Sequence, residues 1–98
     1  MFSVVSKPAV RVDVLNAVAY YKNIYPELVK QFLFRLREAN VYISRTPLGF
    51  QVKYKNVRTL LLKQFPFHIH YLINDSQKQI IILAIIHAYK NPQDYSAR

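Results

Sequence analysis

The chain reads as an α+β domain: an N-terminal strand, an antiparallel helix hairpin, then three or four antiparallel strands, with the helices on one face of the sheet. Three observations predict this. From Pro8 to Arg45 the apolar residues recur at helical spacings of three and four; after Gly49, the only glycine, the pattern turns to period-two alternation and β-branched runs; and proline stands at the start of both helical stretches. The length of 98 residues suits one domain, so residues 1–98 are expected to form a single unit ending in a short polar tail over 91–98.

Ser3 to Ser6, with β-branched Val4 and Val5, supplies the first strand. Ser6 ahead of Lys7-Pro8-Ala9 then reads as a helix N-cap with proline in the first turn. Val10, Val14, Ala17, Val18 and Tyr21 make one apolar face, and the helix should end near Asn23. Tyr25-Pro26-Glu27 starts the second helix, whose stripe is Leu28, Phe32, Leu36, Ala39 and Ile43. Phe34 and Val41 fall off that stripe and suggest a second, smaller contact. Thr46-Pro47 ends the helix, because a residue before proline is pushed out of the helical region. The link between the helices is so short that they must form a hairpin.

Phe50 to Lys55 and Phe67 to Ile73 alternate with period two, while Val57 to Lys63 and Gln79 to His87 are more continuously apolar. Asn74-Asp75-Ser76 joins the last two strands as a hairpin turn. Leu61, Ile69, Ile82 and Ala84 are expected to be well buried, with Leu83 to Ile85 in an interior strand. Ile80 to Ile86 points apolar groups to both faces of the sheet, but two helices cover only one. The tail, a second copy or another chain must cover part of the other.

The charge is lopsided, with 14 Lys+Arg against 5 Asp+Glu and a net +9. That excess predicts a polyanionic or acidic partner. No acid lies between Ala39 and Asn74, a stretch that holds Arg45, Lys53, Lys55, Arg58 and Lys63. The absence of cysteine excludes disulfide scaffolds, thiolate nucleophiles and Cys-based zinc sites. Three histidines and few carboxylates predict no metal site. No P-loop, dinucleotide glycine pattern or H-E-x-x-H motif is present, so no cofactor is expected. The longest apolar run, Ile80 to Ile86, falls far short of the roughly 20 residues a spanning helix needs. With no basic region followed by an apolar stretch at the start, a cytoplasmic protein without membrane attachment is expected.

Candidate binding residues are Lys53, Lys55, Arg58, Lys63, His68, His70 and Lys90, interleaved with Phe50, Tyr54, Phe65, Phe67 and Tyr71. They suit a polyanion or an acidic peptide; the plainer alternative is a solvated basic edge that blocks sheet-to-sheet aggregation. His68 and His70 share one strand face, which reads as a partly exposed polar face rather than a metal pair. His87 ends the most apolar strand, with Tyr89 and Lys90 beyond it. It either completes the rim of the sheet or does acid–base work on a phosphodiester, in which case His68, His87 and Tyr89 are the catalytic candidates.

Several stretches together resemble a known family. They are Pro8-Ala9 before a helix with Asp13, Ala17, Tyr20 and Tyr21; Pro26-Glu27-Leu28 with Phe32 and Leu36; Pro47 and Gly49; the stretch from Val57-Arg58 through Phe65-Pro66-Phe67 to Tyr71; and Ile82 to His87. In this order and spacing, over nearly the whole chain, they resemble RelE/ParE-family toxins of type II toxin–antitoxin modules. The resemblance implies a βααβββ toxin of the plasmid-stabilisation type, neutralised by a cognate acidic antitoxin, either as a homodimer or in a heterotetramer with it. Within the family, RelE-like members cleave ribosome-bound mRNA and ParE-like members poison DNA gyrase. The ribonucleases usually carry Arg at the position of His68 and often a basic residue near Ala88. The Phe65-Pro66-Phe67 turn and Leu60-Leu61-Leu62 resemble the ParE branch more. A gyrase-binding poison is therefore the favoured expectation and a metal-free endoribonuclease the alternative. A module keeping only the fold and antitoxin binding is a third.

Overall fold

In a computed structural model that describes residues 2–89 and 93–98, both helices begin beside a proline. The elements in chain order are β1 (Ser3–Ser6), α1 (Pro8–Ile24), α2 (Glu27–Arg45), a 3-10 turn (Pro47–Gly49), β2 (Val52–Tyr54), β3 (Val57–Leu61), β4 (Phe67–Asn74) and β5 (Gln79–His87). One five-stranded sheet runs β1-β5-β4-β3-β2. Its last four strands in sequence are antiparallel neighbours, and β1 joins the edge parallel to β5.

The N-cap of α1 is Lys7 and not Ser6, and no side chain caps it. Ser6 is held in the ladder opposite Ile82, and the Lys7 N–H donates to the Ile82 carbonyl, so extended backbone persists one residue longer. Proline at the first helical position needs no N–H partner, which lets the helix start without a polar cap. Thr46 leaves the helical region at φ −134° and its hydroxyl donates back to the Tyr42 carbonyl, closing α2 before Pro47.

The helices pack on one face of the sheet. Phe32, Leu36, Ala39 and Ile43 of α2 join Val10, Ala17 and Tyr21 of α1 over Leu60, Ile69, Tyr71, Ile80, Ile82 and Ile85. Phe34 and Val41 are exposed and make no second core contact. Leu61 was expected inside but is 56% exposed, because Leu60 and Leu62 take the inward positions of the strand. A period-two pattern cannot bury all three leucines of Leu60-Leu61-Leu62 on one face.

A bulge explains the unbroken apolar run of β5. His70 pairs with Ala84 but Tyr71 pairs with Ile82, leaving Leu83 unmatched. The extra residue switches the alternation, so Ile80, Ile82 and Ile85 face the helices while Leu83, Ala84 and Ile86 enter a second cluster. That cluster lies on the opposite face with Val57, and Tyr95 from the tail covers it at 7% exposure. Of the covers open at the outset, the tail is one that the chain supplies.

β1 pairs only as far as Ile82, so among the described residues β5 continues past it without a strand neighbour on that side. Side chains close the gap. Asp13 of α1 accepts from the Ile85 N–H at 3.0 Å, and Arg98 donates to the Leu83 carbonyl at 3.2 Å. The two side chains pair with each other at 2.6 Å, with the Asp13 carboxylate largely buried. An otherwise open edge is thus blocked by a charged pair.

Candidate functional site

The expected site residues fall into separate groups. On the face turned away from the helices, β4 presents His68 and His70, whose cross-strand neighbours on β3 are Leu61 and Thr59. Tyr54 of β2 reaches the same face: its hydroxyl accepts from the Tyr95 N–H at 3.1 Å and lies 3.2 Å from His70 Nδ1. Because the amide occupies Tyr54 as an acceptor, the phenol proton is free to be donated to His70, which holds that imidazole neutral. The Tyr95 ring stacks edge-on against His70 at 5.3 Å.

Burial lowers the pKa of both histidines, with nearby Lys53 adding to it. His70 drops to about 4 through burial first, then His68, Lys53 and Arg98, against a smaller opposing pull from Asp13. Neutral His70 is therefore favoured by folding. The stability it contributes is complete above the ordinary histidine pKa of about 6.5 and is lost as pH falls from there toward 4. In an NMR titration of the three imidazoles, we expect the His70 signal to stay neutral down to about pH 4. A His70 midpoint near 6.5 would contradict the buried, tyrosine-bonded geometry.

His87 lies on the other side of the sheet. It pairs with Phe67, whose ring is 5.3 Å away on the helix side, whereas His68 pairs with Ile86 and points outward. His87 Nδ1 accepts from the Tyr89 N–H at 3.2 Å, so the neutral ring carries its proton on Nε2. It lines a cavity of about 300 Å³ between α1 and β5, with Asp13, Asn16, Tyr20 and Phe67. Tyr89 is exposed with its ring 5.4 Å from His87. His68 and His87 are thus not brought to a shared point.

The cations are scattered too. Arg58 points to the helix side and donates to the Phe50 carbonyl at 2.7 Å, while Tyr71 beside it donates to the Pro47 carbonyl at 2.6 Å. Together they tie down the segment after α2. Burial pushes the Tyr71 phenol up to about 12 against the opposing effect of Arg58. Lys55 pairs with Asp94 at 2.5 Å, and this contact with Ser96 holds the Asp94 carboxyl well below its ordinary range. Lys63 turns toward α2, with its ammonium over the Tyr42 ring at 5.3 Å. Lys53 is exposed and remains beside the histidines. Lys90 lies outside the described residues.

Sequence reasoning passed over Asp13, Tyr95 and Arg98 as site formers, and placed Tyr54 only among the aromatics of the basic surface. Asp13 was the one legible signal, an acid among the apolar positions of α1. The other three act through contacts between distant parts of the chain. Among the described residues, no three His, Asp or Glu side chains converge as a metal-binding group, and no helix is long and apolar enough to cross a membrane.

A strand, a helix hairpin and an antiparallel-dominated sheet with a parallel first strand define an α+β class found among known toxins. The fold is that of the RelE/ParE toxins. No protein-family model matches the sequence, and no curated protein sequence matches it. Among solved structures, the chain is similar to one from the chromosomal ParDE toxin–antitoxin system of P. aeruginosa, with TM-score 0.71 and 22% identity over 89% of this chain and 96% of that one. It is similar to one from the toxin–antitoxin complex RelBE2 of Mycobacterium tuberculosis, with TM-score 0.58 and 17% identity over 88% and 96%. It also resembles the isolated E. coli RelE toxin, with TM-score 0.61 and 8% identity over 93% and 88%.

Proposed function

We propose that this chain is the toxin of a type II toxin–antitoxin module, acting in the cytoplasm, held inactive by an acidic antitoxin, and toxic through binding and inhibition of DNA gyrase. The RelE/ParE fold and a net +9 support the module and the acidic partner. The observation that carries the choice of target is the separation of the histidines. Cleavage of RNA at its 2′-OH needs a base, an acid and cations around one phosphorus, and a single acid or base is worth roughly 100- to 10,000-fold. Here His68 and His87 occupy opposite faces, His68 and His70 have lowered pKa values, and the cross-strand neighbours of His68 are the apolar Leu61 and Ile86. Arg58 and Lys55 are already engaged within the chain. Inhibition by surface complementarity needs no such assembly.

Two assays test this with wild type and His87→Ala: supercoiling by purified gyrase and mRNA cleavage on translating ribosomes. We expect supercoiling to be inhibited by the wild type without site-specific mRNA cuts. Cuts abolished by His87→Ala, with gyrase untouched, would establish the endoribonuclease instead. Co-expression with a short acidic protein from the adjacent reading frame should give a complex that weakens as salt rises.

A further inference from the structure

Phe34 and Val41 fall off the buried stripe of α2 and stand in solvent, 55% and 45% exposed. They are not alone on that side. Lys30, Arg37 and Arg45 are exposed too, and at 100° per residue the five positions share an arc of about 80°. Along α2 the order is Lys30, Phe34, Arg37, Val41, Arg45. Cation and apolar group therefore alternate turn by turn over about 22 Å.

The charge of this stripe is not neutralised from within. Among the described residues, no carboxylate pairs with Arg37 or Arg45. Glu38 flanks the stripe, but it is half-buried and held by Arg35 at 3.1 Å. Glu27 lies at the start of the helix, 3.9 Å from Lys30 and largely solvated, which weakens the positive field at that end alone. On the Glu38 flank, Lys63 adds a further cation above the Tyr42 ring.

Alternation narrows what can lie on such a face. A docked helix is gripped by apolar anchors on successive turns, and here Arg37 interrupts them. A second copy would bring like charges against the stripe. A nucleic-acid backbone has the matching rhythm, since charged phosphates alternate with apolar sugar faces. We propose that the exposed stripe of α2 lies along the sugar–phosphate backbone of duplex DNA, with Arg37, Arg45 and Lys30 on phosphates and Phe34 and Val41 against deoxyribose. The choice of a duplex rests on the gyrase reading, because that target works on duplex DNA; the stripe itself does not. Its length covers about six base pairs at roughly 3.4 Å each. Contacts of this kind hold the protein on the duplex without reading its sequence.

The test is fluorescence anisotropy with a labelled DNA duplex of about 20 base pairs and arbitrary sequence, without gyrase, across a range of salt. Wild type is expected to bind, with log K falling against log salt at a slope near about −3 for three phosphate contacts. Arg37→Ala/Arg45→Ala should lower the magnitude of that slope by about two and weaken binding by roughly tenfold or more at low salt. Arg11→Ala/Lys22→Ala removes the same charge from exposed positions of α1 and should leave the slope unchanged. Phe34→Ala should weaken binding with the slope unchanged. Circular dichroism checks that every variant is folded. Equal losses from the two double variants would overturn the proposal, because net charge alone would then explain binding. So would no binding at low salt, tighter binding to an RNA duplex of the same sequence, or capture by anionic lipid vesicles in place of DNA. Supercoiling by gyrase is scored separately. Stripe-dependent DNA binding without gyrase inhibition removes the target and leaves the surface, whereas gyrase inhibition without DNA binding removes the surface alone.

Discussion

Ile82→Asp is expected to leave little folded protein at neutral pH. Ile82 is 2% exposed, lies between β1 and β4, and packs among the apolar side chains beneath the helices. An aspartate there must either stay charged without a partner or take up a proton, and either course costs several kcal/mol of a total near 5–15. Because the protonated form is the less costly, the loss should shrink as pH falls from neutrality toward the ordinary aspartate pKa of about 3.9 and stay level below it. Soluble yield and thermal unfolding across pH check this. A variant as stable as wild type at pH 7 would place Ile82 outside the core.

The second large effect concerns aromatic packing. Phe32 is fully buried, with ring centroids 5.5 Å from Tyr21, 5.4 Å from Phe65 and 5.3 Å from Phe67. Phe32→Ala should cost roughly 3–5 kcal/mol, from lost burial and the cavity left among three rings. In a chain of this size that lowers the melting temperature by about 15 °C or more. Phe34→Ala, two residues away and 55% exposed, should change stability by no more than about 0.5 kcal/mol. Similar shifts for the two would contradict the orientation of α2.

The element order was legible because proline, glycine and apolar spacing are local signals. Pro8, Pro26 and Pro47 mark helix boundaries through backbone geometry alone, and the stripe through Phe32, Leu36, Ala39 and Ile43 needs nothing beyond α2. What was not legible depends on long-range pairing. Ser6 has the chemistry of an N-cap, but its bond to the β5 ladder decides its conformation. Leu61 is as apolar as Leu60, and only strand phase separates an inward residue from an outward one. The bulge at Leu83 leaves no mark in a run of isoleucine, leucine and alanine.

The site was harder to read for the same reason. The strand phase of His68 and His70 was visible, but the turn of His87 to the opposite face follows from a bulge several residues earlier. Arg58 and Lys55 look like free cations in the sequence; Arg58 is engaged by the Phe50 carbonyl just upstream, and Lys55 by Asp94 from a distant stretch. Composition can count charges but cannot say which are already neutralised.

The parallel pairing of β1 with β5 sets an order on how the chain is completed during synthesis. β2 to β5 form from sequential antiparallel neighbours, and the helix hairpin closes locally, so much of the structure can assemble as it emerges. β1 leaves the ribosome first yet has its partner near the other end, with Ser3 opposite Gln79 and Ser6 opposite Ile82. The Asp13–Arg98 clamp waits longer still. A nascent chain truncated before β5 therefore carries helices without the strand they pack on, and the open edge of β5 is closed only once Arg98 has emerged.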